Sequence, residues 1–191
     1  MRWLTTFVAV LGMLFFPAPA HAVEPWTELR TESGLVVLMR HAIAPGGGDP
    51  AGFRLGDCET QRQLSAEGRA QARAIGREFR AKQIPIAGIR SSRWCRAIDT
   101  ANLLNLGTVH TTPALDSVFT ASQQVAERKK RMTLQIVREH RSESGVLILV
   151  GHQANIIDLT GIAPASGGAV VVKADSMGRI RVIGELQPPS P

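Results

Sequence analysis

The chain contains no tyrosine, and aromatic residues make up only 5% of it. Proteins that bind single-stranded nucleic acid stack bases on aromatic side chains that are interleaved with basic ones. Beyond residue 22 the aromatic residues are few and scattered: Trp26, Phe53, Phe79, Trp94 and Phe119. The densest basic run, residues 127–131, lies in a helical pattern and is typical of a solvated face. We therefore expect no nucleic-acid partner, although the formal net charge is +6.

The chain also lacks an apolar run long enough to span a bilayer. A largely apolar run follows Arg2 and covers residues 4–16, whereas a spanning helix needs roughly 20 apolar residues. The run is typical of a secretory signal, because residues 20–22 (Ala-His-Ala) form the small-x-small pattern that signal peptidase cleaves. No cysteine follows directly, so lipid attachment is not expected. We predict a signal peptide over residues 1–22, cleavage after Ala22, no stable membrane anchor, and a periplasmic or secreted location.

Cysteine is scarce, since Cys58 and Cys95 are the only two in the chain. In an oxidising compartment an even number of cysteines usually indicates a bridge. We predict a Cys58–Cys95 disulfide, which would stabilise the fold by about 3–4 kcal/mol through the loop it closes. The alternative is a pair of independent buried thiols.

Residues 23–191 suit one domain, which is long enough to bury a sizeable core. Arg2 is the only charged residue before them, so their formal charge is +5 and an anionic ligand is expected. The segment 185–191 is rich in proline, and we predict that it is a mobile tail.

The hydrophobic pattern predicts an α/β fold. Three continuous apolar segments, at 34–39, 84–89 and 145–150, have the composition of parallel strands that are covered on both faces. Helical patterns separate and follow them, at 65–82, 94–105, 122–141 and 153–161. Residues 169–186 read as a hairpin with its turn at 175–178. We expect a three-layer α/β/α sandwich whose central sheet is mostly parallel, with the C-terminal hairpin at one edge.

Charged and polar residues follow each of the three strands. In open parallel sheets ligands collect beyond the carboxyl ends of the strands. The first strand ends in Arg40 and His41, and the third ends before His152, so two histidines should meet at one edge of the sheet. The second strand leads into a helix whose first turn holds Arg96. A helix N-terminus and a guanidinium together favour an anion.

This group of residues favours phosphate over zinc, because a guanidinium cannot ligate a metal and its charge repels a cation. Repulsion from Arg40 and Arg96 disfavours protonation of His41. A neutral imidazole is the form that can attack phosphorus and become a phosphohistidine. We expect neither a metal nor an organic cofactor.

Four segments resemble signatures of the histidine phosphatase superfamily, which includes acid phosphatases and phosphoglycerate mutases. They are "LMRHA" (38–42), "LSAEGRAQA" (64–72), "SSRWCRAIDTA" (91–101) and "VLILVGH" (146–152), and they occur in the family's order. The resemblance implies a phosphoglycerate mutase-like fold. It implies that His41 is the nucleophile and that Arg40, Arg96 and His152 bind the phosphate oxygens, with His152 also counted as catalytic.

The leaving-group acid is the part of the family pattern that this chain changes. Ser117 stands where mutase-like members carry glutamate, and Gln153 stands where acid phosphatases carry aspartate after the second histidine. Asp116 is the nearest carboxylate, and we predict that it is the acid. Asp57 and Glu59, in the long loop before the first long helix, are the alternatives.

The glycine-rich stretch "GGGDP" (46–50) lacks the Gly-Lys-Ser/Thr ending of a P-loop. We predict that its flexibility shapes substrate entry, and that Arg54 or Arg62, in the same segment, contacts the substrate. Ala42 replaces the family's glycine after the first histidine, which is tolerable provided that the backbone there does not need a positive φ.

The expected function is an exported, metal-independent phosphomonoester hydrolase acting through a phosphohistidine. A small phosphorylated substrate is expected, such as a sugar phosphate or an envelope saccharide. The alternative is a phospho-ligand-binding domain of the same fold that does not turn its ligand over. The sequence leaves the physiological substrate, the efficiency of turnover and the oligomeric state open.

Overall fold

The computed structural model of the protein describes residues 24–189. The predicted signal peptide, residues 1–22, lies outside the described residues, so its cleavage stays a prediction. Within the described part no helix is long and apolar enough to cross a membrane.

A six-stranded sheet with the order β3-β2-β4-β1-β5-β6 forms the centre of the molecule. The strands are β1 (Leu35–Arg40), β2 (Ile86–Ser91), β3 (Val109–Thr111), β4 (Val146–Gly151), β5 (Ala169–Ala174) and β6 (Ile180–Leu186). The first four strands pair in parallel, whereas β5 runs antiparallel to both β1 and β6. The predicted mostly parallel sheet is confirmed.

Among residues 24–189, five α-helices cover the two faces of the sheet. They are α1 (Trp26–Thr31), α2 (Ala66–Ala81), α3 (Cys95–Leu104), α4 (Gln123–Glu139) and α5 (Gln153–Thr160). Ser65 begins α2, as predicted, by accepting a hydrogen bond from the Gly68 amide at 3.0 Å. Gly161 ends α5 in the left-handed conformation, also as predicted.

The alternation of β1 side chains produces two separate cores. Leu35, Val37 and Met39 pack with residues of α1, α2 and α3, while Val36 and Leu38 pack with residues of α4 and α5. Because both faces of the strand are buried, the apolar run shows no polar alternation. The three-layer α/β/α arrangement is confirmed.

The strands begin one or two residues later than predicted, for local reasons. Gly34 and Gly145, the predicted first residues of β1 and β4, have φ values of +76° and +75°, which are not extended. Pro85 has no amide hydrogen to donate to the sheet, and β2 begins after it. Each strand consequently runs one or two residues further toward the site, to Arg40, Ser91 and Gly151.

The C-terminal hairpin lies at the sheet edge, as predicted, but the predicted tail starts too early. Residues 185 and 186 belong to β6, and Leu186 is buried against α1 and β5 side chains. An apolar side chain at this position is removed from water by the core, so it orders the strand end. The backbone amide of Gln187 also donates to Glu24 Oε1 at 2.8 Å.

The predicted disulfide between Cys58 and Cys95 is present, with the two Cα atoms 5.7 Å apart. Cys58 begins a short 3-10 helix (Cys58–Thr60) in the long loop between β1 and α2, and Cys95 is the first residue of α3. The Cys95 amide also donates to Gln61 Oε1 at 3.0 Å. The bridge therefore fixes this loop to the helix that carries Arg96.

Candidate active site

Three parallel strands end at the same level and deliver the site residues. Arg40 of β1 pairs with Gly151 of β4, and Ser91 of β2 pairs with the neighbouring Val150. The residue after each of these strand ends enters the site. Two further bonds continue the ladder past the strands: the His41 amide donates to Gly151 O at 3.0 Å, and the Ser92 amide donates to Val150 O at 2.9 Å.

The His41 ring is held in one orientation by its own backbone. Nδ1 lies 2.8 Å from Ala42 O, so it carries the ring proton and donates it to that carbonyl. The lone pair is then on Nε2, which accepts a hydrogen bond from Arg96 Nε at 3.2 Å. The ring is only 3% exposed. This arrangement presents an unprotonated nitrogen to the guanidinium of Arg96.

Burial keeps the His41 imidazole neutral. Desolvation is the largest cause that lowers its pKa, and the positive charges of Arg96, Arg62 and Arg40 lower it further, to about 3. The sequence predicted the same direction from charge repulsion alone, but loss of water is the larger effect. The nucleophilic form is therefore present throughout the neutral and mildly acidic range.

The backbone that follows His41 is also fixed. The Ala42 amide donates to Thr100 Oγ1 at 3.0 Å. Ala42 does not have a positive φ, so its methyl group is accommodated without strain. Gly68 of α2 lies against Ile43, where a Cβ atom would come within 2.0 Å of the Ile43 carbonyl oxygen. Only glycine permits this close approach of α2 to the site loop.

His152 faces His41 across the site, with the ring centroids 5.5 Å apart. Its Nε2 lies 2.9 Å from Ser92 Oγ, and that oxygen accepts the Trp94 amide at 3.2 Å. The Ser92 hydroxyl is thereby directed at Nε2, which leaves the ring proton on Nδ1 as a donor. Burial, followed by the charges of His41 and Arg96, lowers the pKa of His152 well below its ordinary value.

Arg96 lies in the first turn of α3, where the sequence predicted it, and is 2% exposed. Besides its bond to His41, it makes a two-point ion pair with Asp49. Nη1 lies 2.7 Å from Asp49 Oδ1, and Nη2 lies 3.1 Å from Asp49 Oδ2. The guanidinium thus touches the nucleophile with one edge and a carboxylate with the other.

Two further arginines contribute positive charge to the site. Arg40 Nη1 donates to Pro164 O at 3.2 Å, and Arg62 Nη1 donates to the carbonyl oxygens of Ala44 and Gly46. Within residues 24–189, Nε of each arginine is buried and has no hydrogen-bond partner. An unpaired buried donor costs about 1–3 kcal/mol. Such donors next to His41 are suited to an oxyanion.

The arrangement has the polarity of a phosphate site: the buried Arg96, two half-buried arginines, a neutral nucleophilic imidazole and a second imidazole. The model for the "Histidine phosphatase superfamily (branch 1)" matches residues 36–119, which include Arg40, His41 and Arg96. Over this segment the chain is similar to the histidine phosphatase superfamily.

Solved structures of several phosphatases share the fold of the chain. The protein histidine phosphatase SixA in complex with tungstate is 16% identical, with a TM-score of 0.60, over 81% of this chain and 97% of that one. The mycobacterial glucosyl-3-phosphoglycerate phosphatase Rv2419c is 17% identical, with a TM-score of 0.58, over 82% and 99%. Phosphoserine phosphatase from Entamoeba histolytica is 12% identical, with a TM-score of 0.59, over 82% and 98%.

No curated protein matches the chain. In the part of the chain that the structure describes, no group of three or more His, Cys, Asp or Glu side chains is arranged to hold a metal ion. A cavity of about 350 Å³ lies between β2 and α4 and is lined in part by His110 and His140, not by the site residues.

Asp116, the predicted acid, is 1% exposed and bound on every side by N–H donors. The Arg93 amide donates to Oδ1 at 3.1 Å, and the Arg93 side chain donates to Oδ2 at 3.0 and 2.5 Å. Lys129 Nζ approaches Oδ2 at 3.4 Å. These contacts make Asp116 the anchor of Arg93, whose side chain is 45% exposed beside the site. The acid function stays a prediction.

Substitution of Asp116 by asparagine separates the two functions. A proton donor matters for alkyl phosphates, whose leaving groups are poor, and matters little for aryl phosphates. If Asp116 is the acid, kcat for an alkyl phosphate falls about 100-fold or more while kcat for an aryl phosphate changes little. Steady-state rates for both substrates measure this. An equal loss on both substrates assigns Asp116 to the positioning of Arg93 instead.

The loop between β1 and α2 holds the site residue that the sequence analysis missed. In the sequence Asp49 is only one residue of the glycine-rich stretch, yet its carboxylate accepts two hydrogen bonds from Arg96. The signal that could have identified Asp49 is its position in the sequence, where it is an acidic residue among Arg40, Arg54 and Arg62. Arg62 reaches the site, as proposed for one of two arginines, whereas Arg54 has a side chain that is 69% exposed and pairs with Asp57.

Proposed function

We propose that the chain is a phosphomonoester hydrolase that acts through a phosphohistidine at His41 Nε2, without a metal ion. The observation that carries the proposal is the fixed tautomer of His41. Its Nδ1–H is held by Ala42 O, and its Nε2 faces the buried guanidinium of Arg96. The family-model match over residues 36–119 and the names of the structural neighbours, which are phosphatases, support the reaction class.

In the first step the Nε2 lone pair of His41 attacks phosphorus as the bond to the leaving oxygen breaks. A phosphoryl group on Nε2 lies against Arg96, whose donors neutralise charge on its equatorial oxygens. Nε of Arg40 and of Arg62 can donate to the same group. The imidazolium that forms keeps its Nδ1 proton on Ala42 O, so the carbonyl stabilises the positive charge. The leaving oxygen takes a proton from an acid or from water.

In the second step a water molecule attacks the phosphohistidine. The nitrogen–phosphorus bond breaks, Nε2 recovers its lone pair, and inorganic phosphate and a proton leave. His152 donates through Nδ1 to the transferring group in both steps, because Ser92 holds its Nε2. Apart from the covalent step at His41, the protein contributes positioning and electrostatic stabilisation.

The proposed substrate class is a small phosphomonoester in a periplasmic or secreted setting. The signal-like N-terminus supports export, and the predicted disulfide supports an oxidising compartment. A sugar phosphate or phosphorylated envelope saccharide fits this setting. One structural neighbour is named for a phosphatase of a glucosylated phosphoglycerate, which supports a sugar-linked phosphate as the first substrate to test.

Stereochemistry at phosphorus tests the covalent step. An aryl phosphorothioate made chiral with 17O and 18O and hydrolysed in ordinary water should yield chiral inorganic thiophosphate with net retention, because each of two in-line displacements inverts phosphorus once. Direct attack by water gives inversion, and that result contradicts the phosphohistidine.

The rate should be unchanged after treatment with a chelator, and loss of activity that added metal restores would refute the metal-independent mechanism.

The same assays address the non-catalytic alternative. A phospho-ligand-binding domain would bind inorganic phosphate or a phosphorylated sugar without turning over any aryl or sugar phosphate. Turnover by the wild-type protein excludes that alternative.

A further inference from the structure

Asp49 is a buried carboxylate at the centre of a set of donors. Its side chain is 8% exposed. Arg96 donates to both of its oxygens, Trp94 Nε1 donates to Oδ2 at 2.9 Å, and the Arg62 amide donates to Oδ1 at 3.1 Å. Two-point contact with a guanidinium plus further N–H donors is also how proteins bind a phosphate group. Asp49 therefore occupies donors that suit an oxyanion.

Each of the three guanidinium nitrogens of Arg96 makes a hydrogen bond in this arrangement. Nε faces His41, and both terminal nitrogens face Asp49. Hydrogen bonding and the charge of Arg96 lower the pKa of the Asp49 carboxyl, against a raising effect of desolvation. The carboxylate is consequently a charged competitor for the guanidinium, and a phosphoryl group that makes the same two-point contact with Nη1 and Nη2 must displace it.

The segment that carries Asp49 has the conformational freedom for such a displacement. Gly46 and Gly48 have φ values of +91° and +81°, and both are followed by short spans of loop rather than by a helix or strand. No atom lies within 4 Å of a Cβ built on Gly47 or Gly48. Gly47 and Gly48 therefore lie in open space, whereas Gly46 is held by the hydrogen bond from Arg62 Nη1 to its carbonyl oxygen.

We propose that Asp49 is a specificity-determining residue, an internal carboxylate that competes with the substrate's phosphoryl group for Arg96. The proposal rests on the proposed phosphate site. A ligand displaces Asp49 only if its free energy of interaction with the site arginines is more favourable than that of the Asp49 carboxylate. A doubly charged phosphomonoester meets this requirement, whereas a singly charged carboxylate ligand gains nothing over Asp49. The residue thus lowers affinity for all anions and selects for the most highly charged.

Binding of inorganic phosphate to the Asp49→Asn variant tests the competition. Asparagine keeps the size of the side chain and removes its charge, so phosphate should bind about ten-fold more tightly than to the wild type by titration calorimetry. A residue that only oriented Arg96 predicts the opposite sign, because its loss would weaken binding. Asp57→Asn is the matched control, since Asp57 lies in the same loop and pairs only with exposed Arg54.

A second measurement covers the case in which the variant is less stable. The variant leaves Arg96 buried without its carboxylate, so added phosphate should raise the melting temperature of Asp49→Asn more than that of the wild type.

Tryptophan emission reports the displacement of Asp49 itself. With Trp3 and Trp26 replaced by phenylalanine, Trp94 is the only tryptophan, and phosphate should change its emission in the wild-type background as Asp49 leaves Nε1.

Three outcomes overturn the inference, and they differ in what they say of the site. Equal or weaker phosphate binding by Asp49→Asn, with measurable binding by the wild type, refutes the competition and leaves the proposed function standing. A smaller phosphate-induced rise in melting temperature for the variant than for the wild type has the same meaning. No phosphate binding by either protein refutes both the competition and the phosphate site.

Discussion

The His41→Ala variant is expected to lose turnover of an aryl phosphate by about 10⁴-fold or more, because the group that forms the covalent intermediate is removed. An aryl phosphate is the sensitive substrate, since its leaving group needs no acid and the loss reports the nucleophile alone. The structure predicts that the protein remains folded. His41 is held by hydrogen bonds to Ala42 and Arg96, not by tight apolar packing.

Release of p-nitrophenol at saturating substrate measures the loss, and circular dichroism checks the fold. His110→Ala is the matched control: it removes an exposed imidazole on β3, and its activity should equal that of the wild type. Retention of more than a few per cent of activity by His41→Ala would remove His41 from the mechanism. Binding of inorganic phosphate to His41→Ala should persist, because Arg40, Arg62 and Arg96 are unchanged.

The Arg96→Lys variant is expected to lose about 100- to 1,000-fold in kcat/KM. Lysine preserves the charge, but it cannot contact His41 Nε2 and two oxygens of one phosphoryl group simultaneously, as a planar guanidinium can. It is a better test than alanine. Removal of the charge would leave buried Asp49 without its ion-pair partner, at a cost of about 3–5 kcal/mol in folding free energy.

Steady-state kinetics on the same aryl phosphate separates the contributions to kcat and KM. The loss should appear in both parameters, because Arg96 is placed to contact the phosphoryl group before and during transfer. Arg54→Lys provides the control, as its guanidinium lies in the same long loop but is exposed and pairs with Asp57. A wild-type kcat/KM in Arg96→Lys would contradict the assignment of Arg96 to the phosphate site.

The site residues that the sequence could predict lie at the ends of regular elements. His41 and His152 follow apolar runs, and parallel pairing of those runs brings them to one edge. Arg96 lies in the first turn of a helix with a clear pattern. The hydrophobic periodicity and the order of the strands and helices determine these positions. They can therefore be predicted without knowing which distant residues are in contact.

The contacts of loop residues were not predictable in the same way. Asp49 reaches Arg96 only because the loop folds back onto α3, and that path depends on the disulfide and on the hydrogen bond between Gln61 and the Cys95 amide. Asp116 was placed near the site, but its pairing with Arg93 and Lys129 joins three segments with no shared periodicity. Such pairings follow from the folded shape and are not encoded in any one stretch of residues.

The register between β1 and β4 links the chemistry of the molecule to its stability. A slip of one residue between these strands would turn the core-facing side chains of one face toward the other, and would also separate His41 from His152 by a full rung of the ladder. Packing in the two cores therefore fixes the distance between the two imidazole rings. Substitutions in β1 or β4 that preserve the core packing also preserve the distance between the His41 and His152 rings. The geometry of the site is therefore set in part by core residues that do not contact a ligand.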